Sequence, residues 1–262
     1  MRILAIAAVL AMVLGGCGHS AQSVPVISKP DEAVAGAMNR VIAAPVDPDP
    51  RVGAIFLSEG DLHACTGSVL HSTAGNLVLT AAHCLSTGGG PVRFVPGFAR
   101  NVVPADVWTV DTVYLDPRWL ATKDPHADYA IARVSRPSGG LVEAAAGSAL
   151  SLGSAPARGS EVTVVAYPAG IGGAPIGCRT GTGLSDAGYP ELPCAGLVDG
   201  TSGAPWISGS TVTGVIGGLH GGGCAENLSY SPPFDEHLAQ LFARAQAGGP
   251  GDAAPRSFDD EC

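Results

Sequence analysis

Nine short runs, VGAIFL, GSVL, NLVLT, VRFVP, VWTVDTVYL, YAIARV, EVTVVAYP, PWIS and TVTGVIGGL, follow one another through residues 52–219, each bounded by Gly, Pro, Ser or Asp. Most are rich in Val, Ile and Leu, which suit a pleated surface buried on at least one side. A parallel α/β fold needs helical stretches between its strands, and the intervals here are turn-like. The expected class is therefore all-β, a barrel or a sandwich. The 37 Gly, 21 Pro and 14% charged residues fit the same reading. One helical pattern stands out, FDEHLAQLFARA, where Phe234, Leu238, Leu241 and Phe242 recur at helical intervals and predict a terminal amphipathic helix.

The ends differ from the middle. In MRILAIAAVLAMVLGGC, Arg2 precedes an apolar run from Ile3 to Leu14, roughly 12 residues and too short for a comfortable membrane span. Gly15 and Gly16 then lead to Cys17. This ending resembles the bacterial lipobox, which implies a signal peptide over residues 1–16 and a lipid anchor on Cys17. The plainer alternative is an ordinary secretory signal with an incidental cysteine. Both readings imply export, either to the outer face of the cell membrane or beyond it. Residues 17–50, rich in Ala, Pro and Ser, predict a flexible tether. Residues 51–247 form the expected domain, and 248–262 an irregular tail.

A net charge of −9 and the lack of any basic stripe argue against a nucleic-acid partner. With Cys17 set aside, six cysteines remain, Cys65, Cys84, Cys178, Cys194, Cys224 and Cys262. An even set in an oxidising compartment implies up to three disulfides, with free buried thiols as the alternative. No CxxC or HxxxH spacing points to zinc, so neither metal nor cofactor is expected. The chain is taken as a monomer.

Three separate segments carry complementary chemistry. NLVLTAAHC holds His83 just before its final cysteine, Asp128 opens DYAIARV, and Ser202 sits in the glycine-rich DGTSGAPW. A hydroxyl is a weak nucleophile near neutral pH, so an imidazole must take its proton. The imidazole in turn needs a carboxylate to fix its tautomer and stabilise its cation. Asp124 competes with Asp128 for that role, but Asp128 directly precedes an apolar run and so begins a strand. The plain readings are a structural histidine, a solvated acid and an ordinary glycine turn.

Thr80-Ala81-Ala82-His83-Cys84, Asp128-Tyr129-Ala130-Ile131 and Gly200-Thr201-Ser202-Gly203-Ala204-Pro205 resemble the chymotrypsin/trypsin-like serine proteases, in the family's His, Asp, Ser order and over about residues 51–245. The resemblance implies two six-stranded antiparallel β-barrels, a C-terminal α-helix and a catalytic triad of His83, Asp128 and Ser202 at the cleft. It implies a protein or peptide substrate and an oxyanion hole formed by the amides of Gly200 and Ser202. It implies the disulfides Cys65–Cys84 and Cys178–Cys194, the second through Cys194-Ala195-Gly196, which resembles the family's CAG segment. Cys224 resembles the cysteine after the substrate-binding strand. Its usual partner just before the serine is missing in LVDGTSG, and Cys262 is taken as its partner. GVIGGLHGGGC resembles the segment lining the specificity pocket, with Gly217 and Gly218 offering backbone to an extended substrate. Glutamate-specific bacterial relatives use a histidine in this region, so His220 implies acidic preference; a histidine on an exposed loop is the alternative.

Two departures matter. Zymogen-type members hold a freed N-terminal amine with an aspartate just before the serine, and Thr201 stands there. No IVGG-like start is present either. The expectation is a site assembled without activation by cleavage near Arg40 or Arg51. Trypsin-like preference for basic residues is also unsupported, because Gly196 lies six residues before Ser202 and Asp199 is nearer the pocket's rim. A lipase-type reading of Gly200-x-Ser202-x-Ala204 fails for want of alternating helices, and Asp235 and His237 lie two apart on one short helix. The remaining rival is a catalytically silent, protease-fold lipoprotein that acts as a binding module.

Overall fold

The computed structural model describes residues 41–85, 90–223, 225 and 227–255, all within one compact unit, Asn39–Cys262. The apolar runs of its first half become β2 (Val52–Phe56), β3 (Leu62–Leu70), β4 (Leu77–Thr80), β5 (Arg93–Pro96), β6 (Trp108–Leu115) and β7 (Ala130–Ser135), preceded by a two-residue β1 (Ala44–Pro45). Neighbours pair antiparallel in the order β2, β3, β4, β7, β6, β5, and β5 returns to β2. Six strands thus close on themselves, which removes the edge an open sheet would expose. Ile55, Val69, Val78, Phe94, Trp108 and Trp119 pack together as one buried cluster of this barrel.

The second half contains β8 (Ser151–Leu152), β9 (Glu161–Ala166), β10 (Gly170–Ile171), β11 (Ile176–Gly181), β12 (Gly183–Leu184), β13 (Pro190–Leu192), β14 (Pro205–Ser208), β15 (Thr211–Val215) and β16 (Ser229–Tyr230). Five of these pieces join β1 in the six-stranded sheet β1-β11-β9-β14-β15-β8, antiparallel except between β15 and β8. Strands β12, β13 and β16 form a separate small sheet, and β10 extends the first barrel at β3. The first expected barrel is therefore closed. The second is a six-stranded sheet whose outer members, β1 and β8, are only two residues long.

A second apolar cluster spans both halves, joining Phe56, Leu79 and Tyr114 to Tyr167, Val212 and Val215. Helix α3 (Glu236–Ala247) covers it with Leu238, Leu241 and Ala245, while α1 (Pro117–Thr122) and α2 (Val142–Ala146) are short. Asp235 caps α3 by accepting from the amides of His237 and Leu238. Pairing begins upstream of the composition change at Arg51, for the Ala195 carbonyl accepts from the Ala43 amide, the Ala195 amide donates to the Val41 carbonyl, and strand β1 joins β11. Downstream of α3, the Asp252 carboxylate accepts from the Leu115 amide at 2.8 Å and from Arg244. No helix among the described residues is long and apolar enough to cross a membrane.

Candidate active site

Strands β4 and β7 are neighbours, with Thr80 opposite Ala130. Because they run antiparallel, the chain leaving β4 and the chain entering β7 emerge at the same end of the barrel. His83 begins a tight turn there, and Asp128 closes the Pro125–Ala127 turn. Asp128 is fully buried. Its Oδ1 accepts from the His83 amide at 2.9 Å, and its Oδ2 accepts from His83 Nδ1 at 2.8 Å and from the Gly218 amide at 2.8 Å. Three donors offset the cost of holding a carboxylate away from water. With Nδ1 donating to Asp128, the neutral ring keeps its lone pair on Nε2, where it can accept a proton. Asp124 goes elsewhere: it caps the Pro125–Ala127 turn and bonds His126. Burial raises the Asp124 carboxyl, but the His126 hydrogen bonds outweigh it and hold the group below its ordinary value.

Ser202 is located by its carbonyl, which lies 2.8 Å from the Thr66 amide and 3.7 Å from the Cys84 sulfur. Its turn needs glycine. Gly200 has φ +88°, and a β-carbon there would fall 2.1 Å from the Ala169 nitrogen. Gly203 has φ +79°, and its β-carbon would fall 2.2 Å from both the Thr66 carbonyl and the Thr80 hydroxyl. The N–H and C=O of one planar trans peptide point opposite ways, so a contact on a carbonyl aims the next residue's amide. The Asp199 carbonyl accepts from Ala169 at 2.7 Å, which aims the Gly200 N–H, and the Thr201 carbonyl accepts from Ala204 at 3.0 Å, which aims the Ser202 N–H. Among the described residues, neither of those two amides donates to a protein acceptor. The Gly203 amide donates to Ile216 at 2.7 Å, tying this turn to the segment whose Gly218 holds Asp128.

Beside Ser202 opens a cavity of about 500 Å³, lined in part by Leu197, Val198, Asp199, Ile216 and His220. His220 takes a left-handed backbone (φ 52°), at the head of the left-handed Gly221–Gly223 run. Gly217 and Gly218 lie in sequence between two residues of this lining. The cavity lining passes from Ile216 to His220, and both glycine amides are engaged, Gly217 with Tyr230 and Gly218 with Asp128. Sequence reasoning missed Thr66, Ala169 and Leu197, whose contributions come through hydrogen bonds over long separations or through cavity lining, neither of which leaves a motif.

Disulfides join Cys65 to Cys84 and Cys178 to Cys194. The first also consumes both sulfurs of the close Cys65, His83, Cys84 group, so no thiolate is left there for a metal. Cys17, Cys224 and Cys262 lie outside the described residues.

Residues 65–217 match the trypsin-like peptidase domain, and the chain belongs to that family. No curated protein matches it in sequence. Among solved structures it is similar to the protease Anisep from Arthrobacter nicotinovorans, with 23% identity and a TM-score of 0.67 over 79% of this chain and 100% of that one. It is similar to a Glu endopeptidase at 15% identity, TM-score 0.63, over 79% of this chain and 97% of the other. It is also similar to human heparin binding protein at 16% identity, TM-score 0.60, over 81% of this chain and 100% of the other. These likenesses establish a trypsin-like serine protease fold. Proteases and a heparin binding protein share it, so activity is argued from the site.

Proposed function

We propose that the chain is a serine endopeptidase working through Ser202, His83 and Asp128. Ser202 attacks the scissile carbonyl as His83 Nε2 takes its proton, and Asp128 steadies the resulting imidazolium. The tetrahedral oxyanion rests on the amides of Gly200 and Ser202. His83 then protonates the leaving amine, and water repeats the sequence to hydrolyse the acyl-enzyme, which releases the acyl half as a carboxylic acid and restores Ser202. The observation that carries this reading is the buried Asp128 carboxylate, which holds both the amide and the Nδ1 of His83. A binding module has no need of an acid buried for that purpose.

The site is assembled without a freed N-terminal amine. Thr201, standing where an amine-binding acid would be, spends its hydroxyl on the Val198 carbonyl at 2.7 Å. We further take the chain as exported and anchored through Cys17. Labelled palmitate incorporated by the wild type and lost in C17S supports that part; equal labelling of both removes it.

A peptide library digested by the wild type and by S202A tests the activity. Cleavage by the wild type alone supports the proposal, and cleavage by neither or by both contradicts it. The same library reads the residue before the cut. Enrichment of Glu or Asp supports a role for His220 in the cavity, and no enrichment removes it.

A further inference from the structure

We infer that Thr66 is the positioning residue that holds the oxyanion turn, a task no side chain of the turn itself performs. The inference rests on the peptidase reading above. Four consecutive carbonyls, of residues 199 to 202, each accept one hydrogen bond. Asp199 and Thr201 are held by the amides of Ala169 and Ala204. Thr66 supplies the other two: its hydroxyl donates to the Gly200 carbonyl at 3.0 Å, and its amide donates to the Ser202 carbonyl at 2.8 Å. Every peptide plane across the turn is thereby fixed, and Thr66 fixes the 200–201 and 202–203 planes, which alternate with the planes that carry the Gly200 and Ser202 amides.

The hydroxyl has a defined direction. It accepts from the Tyr167 amide at 2.9 Å, so its single proton goes to Gly200. Tyr167 leads through Pro168 to Ala169, the residue that fills the space a Gly200 side chain would occupy. One hydroxyl therefore joins the turn to the segment packed behind it. Thr66 is fully buried, and its own carbonyl accepts from the Thr80 hydroxyl at 2.8 Å. Its neighbour Cys65 is bonded to Cys84, next to His83. Two successive residues of β3 thus fix the imidazole-bearing turn and the nucleophile-bearing turn. Thr201 does not replace this link, because its hydroxyl and amide both go to Val198 within the same loop.

Thr66→Val keeps the shape and removes the hydroxyl, leaving the Tyr167 amide and the Gly200 carbonyl without that partner. Thr66→Ser keeps the hydroxyl. Outright loss of one oxyanion donor costs about 10²–10³ in kcat, so a misaimed turn in T66V is expected to lose about 10–100-fold. KM stays within about threefold, because the loss falls on the transition state, and affinity for a peptidyl boronate drops by the same factor as kcat. T66S returns kcat to within about threefold of the wild type. Should T66V fail to fold by circular dichroism, T66A makes the same comparison without a second methyl against the turn. An active wild type with T66V or T66A kcat within about twofold, or a loss that T66S does not rescue, overturns this inference alone. A wild type that hydrolyses nothing overturns the peptidase reading and this inference with it.

Discussion

The two halves of the molecule build their share of the site by different means. In the first half, His83 and Asp128 stand at one end of a closed six-stranded barrel, on turns at the ends of adjacent strands whose register is fixed by the ladder between Leu77–Thr80 and Ala130–Arg133. In the second, the Gly200–Ser202 turn and the cavity beside it lie on loops with left-handed glycines, held by single hydrogen bonds to distant residues. The imidazole–carboxylate pair inherits its geometry from regular structure. The Gly200–Ser202 turn has no ladder and depends on a few individual contacts. Substitutions on the barrel side should therefore act on chemistry or on global stability according to which bond is cut, while small changes in the turn should reach chemistry through geometry alone.

The largest effect separating the two is expected from Asp128→Asn. It disrupts the Nδ1 contact that sets the His83 tautomer, and kcat on a peptide substrate should fall by about 10⁴-fold. A loss under tenfold would remove Asp128 from the mechanism. Gly200→Ala tests the other side. Its methyl would meet the Ala169 amide, and kcat should fall by about 10²–10³-fold, as when one oxyanion donor is lost. Unchanged steady-state kinetics in G200A would show that the turn tolerates a side chain, contrary to the 2.1 Å approach.

Stability effects come next. Replacing both Cys65 and Cys84 by serine opens a loop with a sequence separation of 19 and should cost about 3 kcal/mol in denaturant unfolding. The smallest expected change follows from Asp116, which is buried and bonds Arg118 at 2.9 Å and the Tyr129 hydroxyl at 2.8 Å. Burial raises its carboxyl, but the bonds from Arg118 and Tyr129 outweigh burial and hold it below the ordinary value. The unfolded state then binds its proton more readily, so this stabilisation is complete above the unfolded value of about 3.9 and is lost as pH falls through the folded one. Asp116→Asn should lower stability by about 1–3 kcal/mol at neutral pH and by progressively less below about pH 4, measured as the urea midpoint across pH. A difference that grows on acidification would reverse the sign and contradict the assignment.

Much of this was legible in the sequence because strands and motifs are local. The β-branched runs give an all-β class directly, with barrel or sandwich left open, and TAAHC with DYAIA names the pair that the β4–β7 register brings together. The choice of Asp128 over Asp124 was not forced by residue type, only by its place directly before a strand. What could not be read was contact over long separation. Thr66 and Gly200 are 134 residues apart, and no spacing rule connects a strand threonine to a turn carbonyl. The Gly218 amide's bond to Asp128, 90 residues away, is likewise recorded by no motif. Residues 41–45 read as tether by composition, but the short β1 adds to a sheet edge through backbone bonds that any sequence can make.

The most direct test of the account is to treat the chain, uncut at Arg40 and Arg51, with a fluorophosphonate and to map the adduct by mass spectrometry. One adduct on Ser202, formed without prior cleavage and abolished in H83A, is the predicted result. No adduct, an adduct on another residue, or one appearing only after cleavage would contradict it.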